Sequence, residues 1–173
     1  MAPDDTVADA PAARIVRFTR TERLLHWTHA AGFLVMLGSG LVLYLPDLAV
    51  AIGRRATVKD VHLWTAAAWA AAIALILVVG DRGRLAASWR EAQTLDRHDR
   101  RWLRRAGRAP QGRLNAGQKL NTIATVAFGI LFALSGVVLW LGERDHRFML
   151  GGAGPLHTVL TWVSVALLVG HLY

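Results

Sequence analysis

The sequence predicts an all-α integral membrane protein, a four-helix bundle with its N-terminus in the cytoplasm. Three observations carry this. First, four stretches, 24–46, 61–80, 120–142 and 148–173, contain no Asp, Glu, Lys or Arg. Each reaches the roughly 20 residues that a helix needs to cross a bilayer core. Second, 54% of the 173 residues are hydrophobic, and a soluble domain of this length does not carry four such runs. Third, the 20 Lys and Arg residues are unevenly placed: four precede the first run and eleven lie in 81–119, against five in the loops after the first and third runs. The excess of basic residues marks the cytoplasmic side. The net charge of +8 therefore belongs to loops beside lipid headgroups, and no nucleic-acid partner is expected.

The elements follow in order. Residues 1–13 are small, acidic and Pro-containing, and are expected to be a disordered tail preceding one membrane domain, 14–173. The first helix is predicted over about 22–44, and Pro46 ends it. It is too long for a cleaved signal segment, and Leu45-Pro46-Asp47-Leu48 is not a small-residue cleavage site. A short outer loop leads to the second helix, about 58–79. In the inner segment, Trp89, Leu95, Trp102 and Leu103 stand among arginines. They suggest a helix over 88–105 lying on the membrane surface, with a polar connector as the alternative. The third helix is predicted over about 117–141. The fourth covers 155–173, after a Gly-rich turn, with Pro155 in its first turn.

The two hairpins read as repeats. Ser39-Gly40-Leu41-Val42-Leu43-Tyr44-Leu45 ends the first helix, and Ser135-Gly136-Val137-Val138-Leu139-Trp140-Leu141 ends the third. A histidine follows each glycine at nearly the same spacing: His62 is 22 residues after Gly40, and His157 is 21 residues after Gly136. Parallel repeats of this kind are related by an axis along the membrane normal.

Five of the seven histidines fall in the apolar runs. His26 and His29 begin the first helix on the inner side, His62 and His157 begin the second and fourth on the outer side, and His171 ends the fourth on the inner side. The 14 residues from His157 to His171 advance roughly 21 Å on a helix and return to within about 40° of the same face. Ionisable groups inside a membrane are costly and mark function. Depth alone suggests an outer pair, His62 with His157, and an inner pair, His171 with His26 or His29. Paired neutral imidazoles from different helices suit the two axial positions of haem iron. A transition-metal site or a proton relay are the rivals, and the runs hold no acidic residues to support the first. The chain has no cysteine, which excludes thiolate-bound iron–sulfur clusters and covalent c-type attachment, so any haem is b-type.

Four elements resemble a known family: Glu22-Arg23-Leu24-Leu25-His26-Trp27, His62, Asn115-Ala116-Gly117-Gln118-Lys119, and His157 with His171-Leu172-Tyr173. From about Arg17 onward the chain is similar to the di-haem cytochrome b gamma subunit of membrane-bound formate dehydrogenase; the b-type cytochromes of nickel–iron hydrogenases share the architecture. The resemblance implies two b haems, an inner one on His26 and His171 and an outer one on His62 and His157. It also implies a quinone site at Asn115, Gly117 and Gln118. The competing role for those residues is helix capping by Asn115 and packing at Gly117. By the same resemblance the chain is the membrane anchor of a complex in the bacterial inner membrane. An alpha subunit with a molybdenum or tungsten pterin oxidises formate, and an iron–sulfur beta subunit passes electrons through the outer and inner haems to quinone. Other possibilities are a hydrogenase or another quinone-linked oxidoreductase as the partner, or a haem-free scaffold or transporter. Family members continue past the fourth helix into a basic tail, so an ending at Tyr173 implies either truncation or a short fourth helix.

Overall fold

The computed structural model describes residues 17–104 and 109–172. The expected tail at 1–13, and Tyr173, lie outside the described residues. The described residues form seven α-helices and one 3-10 turn: α1 (Arg20–Tyr44), α2 (Pro46–Ile52), α3 (Arg55–Val79), α4 (Arg82–Gln93), α5 (Arg97–Arg104), α6 (Ala116–Arg144), a turn at His146–Phe148, and α7 (Ala153–Leu172). Among the described residues there is no strand, and α1, α3, α6 and α7 are long and apolar enough to span a membrane. At most 17% of any span's apolar window is buried within the chain, so the apolar side chains mostly face outward rather than a protein core.

The ends of these helices follow from side-chain chemistry. Thr19 and Glu22 form a reciprocal capping box at the start of α1, and Asn115 and Gln118 form a second one at the start of α6. Pro46 ends α1 as expected, but it also opens α2, because its missing N–H and fixed φ suit the first turn of a helix. The outer loop is therefore partly helical. Gly53, at φ 65°, closes α2 in the left-handed region that glycine tolerates.

The surface segment is two helices rather than one. The break at Thr94–Asp96 has a local cause. Thr94 Oγ1 donates back to the Arg90 carbonyl, and Asp96 Oδ1 accepts from the backbone N–H groups of His98 and Asp99 at 2.7 and 2.9 Å. These bonds compete with helix continuation and cap α5 afresh.

The spans pack as two hairpins, α1 along α3 and α6 along α7, and among the described residues no span of one hairpin lies closely along a span of the other. The more buried polar ties between them sit at the end bearing α4 and α5. The Arg113 guanidinium, just before α6, donates to Glu22 of α1 (2.8 Å) and to Ser88 (2.8 Å) and Glu91 (2.8 Å) of α4. Burial pulls the Arg113 pKa down, but its bonds to Glu91 and Glu22 more than reverse this and hold it above the usual value. Beside it, Lys119 at the start of α6 pairs with the buried Asp99 of α5 at 2.6 Å and donates to the Thr94 carbonyl at 3.0 Å.

Removing the Arg113 side chain strands Glu22 and Glu91 without their shared cation. Arg113→Ala is expected to cost about 2–4 kcal/mol. Replacing the exposed Arg100 should cost less than about 0.5 kcal/mol. Thermal unfolding in detergent measures both, and equal Tm values for the two variants would remove this network from the account.

Two facing imidazole pairs as the candidate functional site

The gap between the hairpins is crossed by histidines. At the end bearing α4 and α5, His26 of α1 faces His171 of α7, with ring centroids 6.1 Å apart and planes at 44°. At the opposite end, His62 of α3 faces His157 of α7, with centroids 6.4 Å apart and planes at 64°. The first pair is exposed at the bundle surface, and the second is half-buried. α7 thus supplies one imidazole to each pair, and the 14-residue spacing becomes two positions on one helix face.

The spacing suits a metal between the rings. Metal–nitrogen bonds are about 2.0 Å long, so rings whose centroids lie 6.1 and 6.4 Å apart leave room for one metal ion between them. Among the described residues, no three His, Asp or Glu side chains gather to hold a metal ion. Each pair therefore fits a group that fills the remaining coordination itself, as a porphyrin does.

The half-buried pair has matched surroundings. Ser39 Oγ lies 2.9 Å from His62 Nδ1, and Ser135 Oγ lies 2.9 Å from His157 Nδ1. A side chain added at Gly40 or Gly136 would begin 3.4 or 3.7 Å from the Cε1 of the corresponding imidazole. The Ser-Gly repeat of the sequence is thus one structure built twice. The serines were visible as a repeat, but their partners depend on helix pairing. The same cleft is lined by Lys59, Trp140 and Glu143, and Lys59 pairs with Glu143 at 2.6 Å across α3 and α6.

His29 stands apart from the pairs. Its ring packs on Trp69 (5.7 Å) and Phe33 (6.1 Å), not on His171. Trp69 is a residue that sequence reasoning missed. It lies on α3 seven residues beyond His62, roughly 10 Å further along the helix, and so occupies the middle depth of the bundle. Its indole touches Gly32 of α1 and reaches toward Gly129 of α6, filling the space between hairpins at a level between the two pairs. His98 and His146 lie outside the four long apolar helices, but His98, which its hydrophilic setting in the sequence marks as solvated, sits on α5 with its Nδ1 buried and without a hydrogen-bond partner among the described residues.

The residues expected to meet quinone sit at the start of α6. Asn115 Oδ1 accepts from the Gln118 N–H at 2.8 Å, and Gln118 Oε1 accepts from the Asn115 N–H at 3.0 Å. A side chain at Gly117 would begin 3.1 Å from the Trp102 ring. Capping and packing thus do operate at these positions. They occupy the amide oxygens and leave the amide NH2 groups as the donors a ligand would use.

Four apolar helices in two hairpins, with imidazole pairs facing across the gap near both ends, define a membrane cytochrome of the b type. Residues 17–173 match the model of the prokaryotic cytochrome b561 family, and the chain belongs to that family. No curated protein matches the chain. Family and fold together make it a multi-pass membrane protein that binds b-type haem and transfers electrons.

The Trp69 position yields a direct test. A Cβ at Gly32 would fall 2.5 Å from Trp69 Cδ1, whereas Gly38 on the same helix has nothing within 4 Å. Gly32→Ala should cost about 1–3 kcal/mol by overpacking. Gly38→Ala should be neutral or stabilise by up to about 1 kcal/mol. Thermal unfolding of the two variants checks the contrast, and a tolerated Gly32→Ala would show that Trp69 is not held there.

Proposed function

We propose that this chain is the membrane anchor and electron-transfer subunit of a quinone-linked oxidoreductase. It would hold two b haems, one on His26 and His171 and one on His62 and His157. The observation that carries this reading is the two facing imidazole pairs, with centroids 6.1 and 6.4 Å apart, at opposite ends of one bundle. Haem supplies reversible one-electron chemistry when bound. The chain would contribute imidazole ligands and an apolar slot between hairpins, both of which tune redox potential.

The distribution of basic residues favours α4 and α5 on the cytoplasmic side, with His62 and His157 toward the outside. Electrons then enter at the outer end from an iron–sulfur partner and leave to quinone at the inner end, near Asn115, Gly117 and Gln118. Each electron moves inward against an inside-negative potential, at about 2.3 kcal/mol per 100 mV, so turnover would sustain that potential. The Asn115–Lys119 motif favours formate as the donor, oxidised on a molybdenum or tungsten pterin subunit. The family is equally consistent with a hydrogenase partner, which would use the same four histidines. Co-purification of the native complex distinguishes the two.

Haem counting tests the ligand assignment. A pyridine haemochrome assay should give two b haems per chain, falling to about one in His62→Ala and in His171→Ala, with His29→Ala unchanged. A wild-type count below two, or a loss in His29→Ala equal to that in His171→Ala, would contradict it. The quinone assignment has its own variant. Asn115→Asp keeps the helix cap but removes the amide donors. It should lower the quinone reduction rate about tenfold, the scale of one lost hydrogen bond, with Tm and haem content unchanged. An unchanged rate would remove Asn115 from the quinone site.

A further inference from the structure

The two imidazole pairs differ in what lies behind them. Ser39 Oγ is 2.8 Å from the Val35 carbonyl oxygen and 3.2 Å from that of Met36, as well as 2.9 Å from His62 Nδ1. Ser135 repeats this with the Leu131 carbonyl at 2.7 Å, the Phe132 carbonyl at 3.2 Å and His157 Nδ1 at 2.9 Å. A hydroxyl has one proton, and a carbonyl only accepts. If that proton pointed to the imidazole, two oxygens would stand 2.7–2.8 Å apart with no proton between them. The proton therefore goes to the helix carbonyl four residues back, a common serine bond in helices. The hydroxyl oxygen is left to accept from the ring, so Nδ1 carries the hydrogen and Nε2 carries the lone pair. Both serines are buried, at 8% and 3% exposure, which limits competition from water for these bonds. Among the described residues, neither His26 nor His171 has a serine at hydrogen-bond distance.

We propose that Ser39 and Ser135 are positioning residues that fix the tautomer and donor strength of His62 and His157, and through them the redox poise of the haem at that end alone. This rests on the reading of His62 and His157 as haem ligands. An acceptor behind Nδ1–H raises the basicity of the ligating nitrogen and favours the more positive iron. Losing it should favour the reduced form. The following Gly40 and Gly136 complete the seat, leaving each Cε1 edge clear of a side chain.

The test is a redox titration, by optical and electron paramagnetic resonance (EPR) spectroscopy, of the full chain with Ser39→Ala, Ser135→Ala, the double variant and the matching Ser→Thr variants. Threonine keeps a hydroxyl that can bond the same carbonyl. At an ambient potential equal to the wild-type midpoint, the double alanine variant should shift the reduced-to-oxidised ratio of one haem about three- to tenfold, the scale of a neutral hydrogen bond. The other haem should be unmoved, and the threonine variants should match wild type. If alanine abolishes one haem, retention in the threonine variants supports the role. Loss in the threonine variants too, equal shifts with alanine and threonine, a shift shared by both haems, or two unchanged potentials would each overturn it. A wild-type chain with fewer than two b haems would instead fail the underlying reading, and this inference with it.

Discussion

An imidazole inside a bilayer must find a partner for each nitrogen, and the rest of this bundle is arranged around that requirement. Histidines that faced lipid would be costly without benefit. Here they face one another in pairs across a gap that the helix backbones leave open. The gap explains why the spans pack as two hairpins instead of four evenly meshed helices. A bundle with a filled core would bring α1 and α3 against α6 and α7 and leave no room between the rings. It also explains the small residues near the site. Gly40 and Gly136 clear the imidazole edges, and Gly32 lets Trp69 occupy the level between the pairs.

A bundle that keeps an open interior needs its hairpins tied elsewhere. The ties are charged and lie outside the apolar zone. Arg113 joins α1, α4 and the entry to α6, and Lys119 holds α5 to α6 through Asp99. Isolated surface ion pairs contribute little, but these are partly or fully buried and share hydrogen bonds, so breaking one partner is costly. At the other end Lys59 and Glu143 join α3 to α6 across the mouth of the cleft, and their exposure makes that tie weak. The two ends of the molecule are therefore unequally held. The end bearing α4 and α5 is clamped, and the other depends more on what fills the slot.

Much of this was legible in the sequence, because the strongest signals are one-dimensional. Charge-free runs give spans, and basic residues mark loops. His62, His157 and His171 could be sorted by depth from position alone. His26 and His29 could not be separated by pattern, since they point only about 60° apart on the helix. Which one meets α7 depends on how α1 rotates against α3, and that is a tertiary quantity. The Ser-Gly repeat was visible, yet its hydrogen bonds exist only once α1 meets α3 and α6 meets α7. Arg113 was one of eleven basic residues in its segment, and nothing local distinguished it from those that meet solvent. The break at Thr94–Asp96 and the helix opened by Pro46 were missed for a different reason. Both depend on short polar or cyclic side chains that stop one helix and start another, and periodicity does not register this.

Each facing pair is proposed to enclose one iron. EPR spectroscopy of the oxidised full chain in membranes tests it most directly, because ferric haem with two axial imidazoles is low-spin. Two low-spin bis-imidazole signals in equal amounts are expected. A single signal, or a substantial high-spin population, would mean that at least one pair does not close on iron.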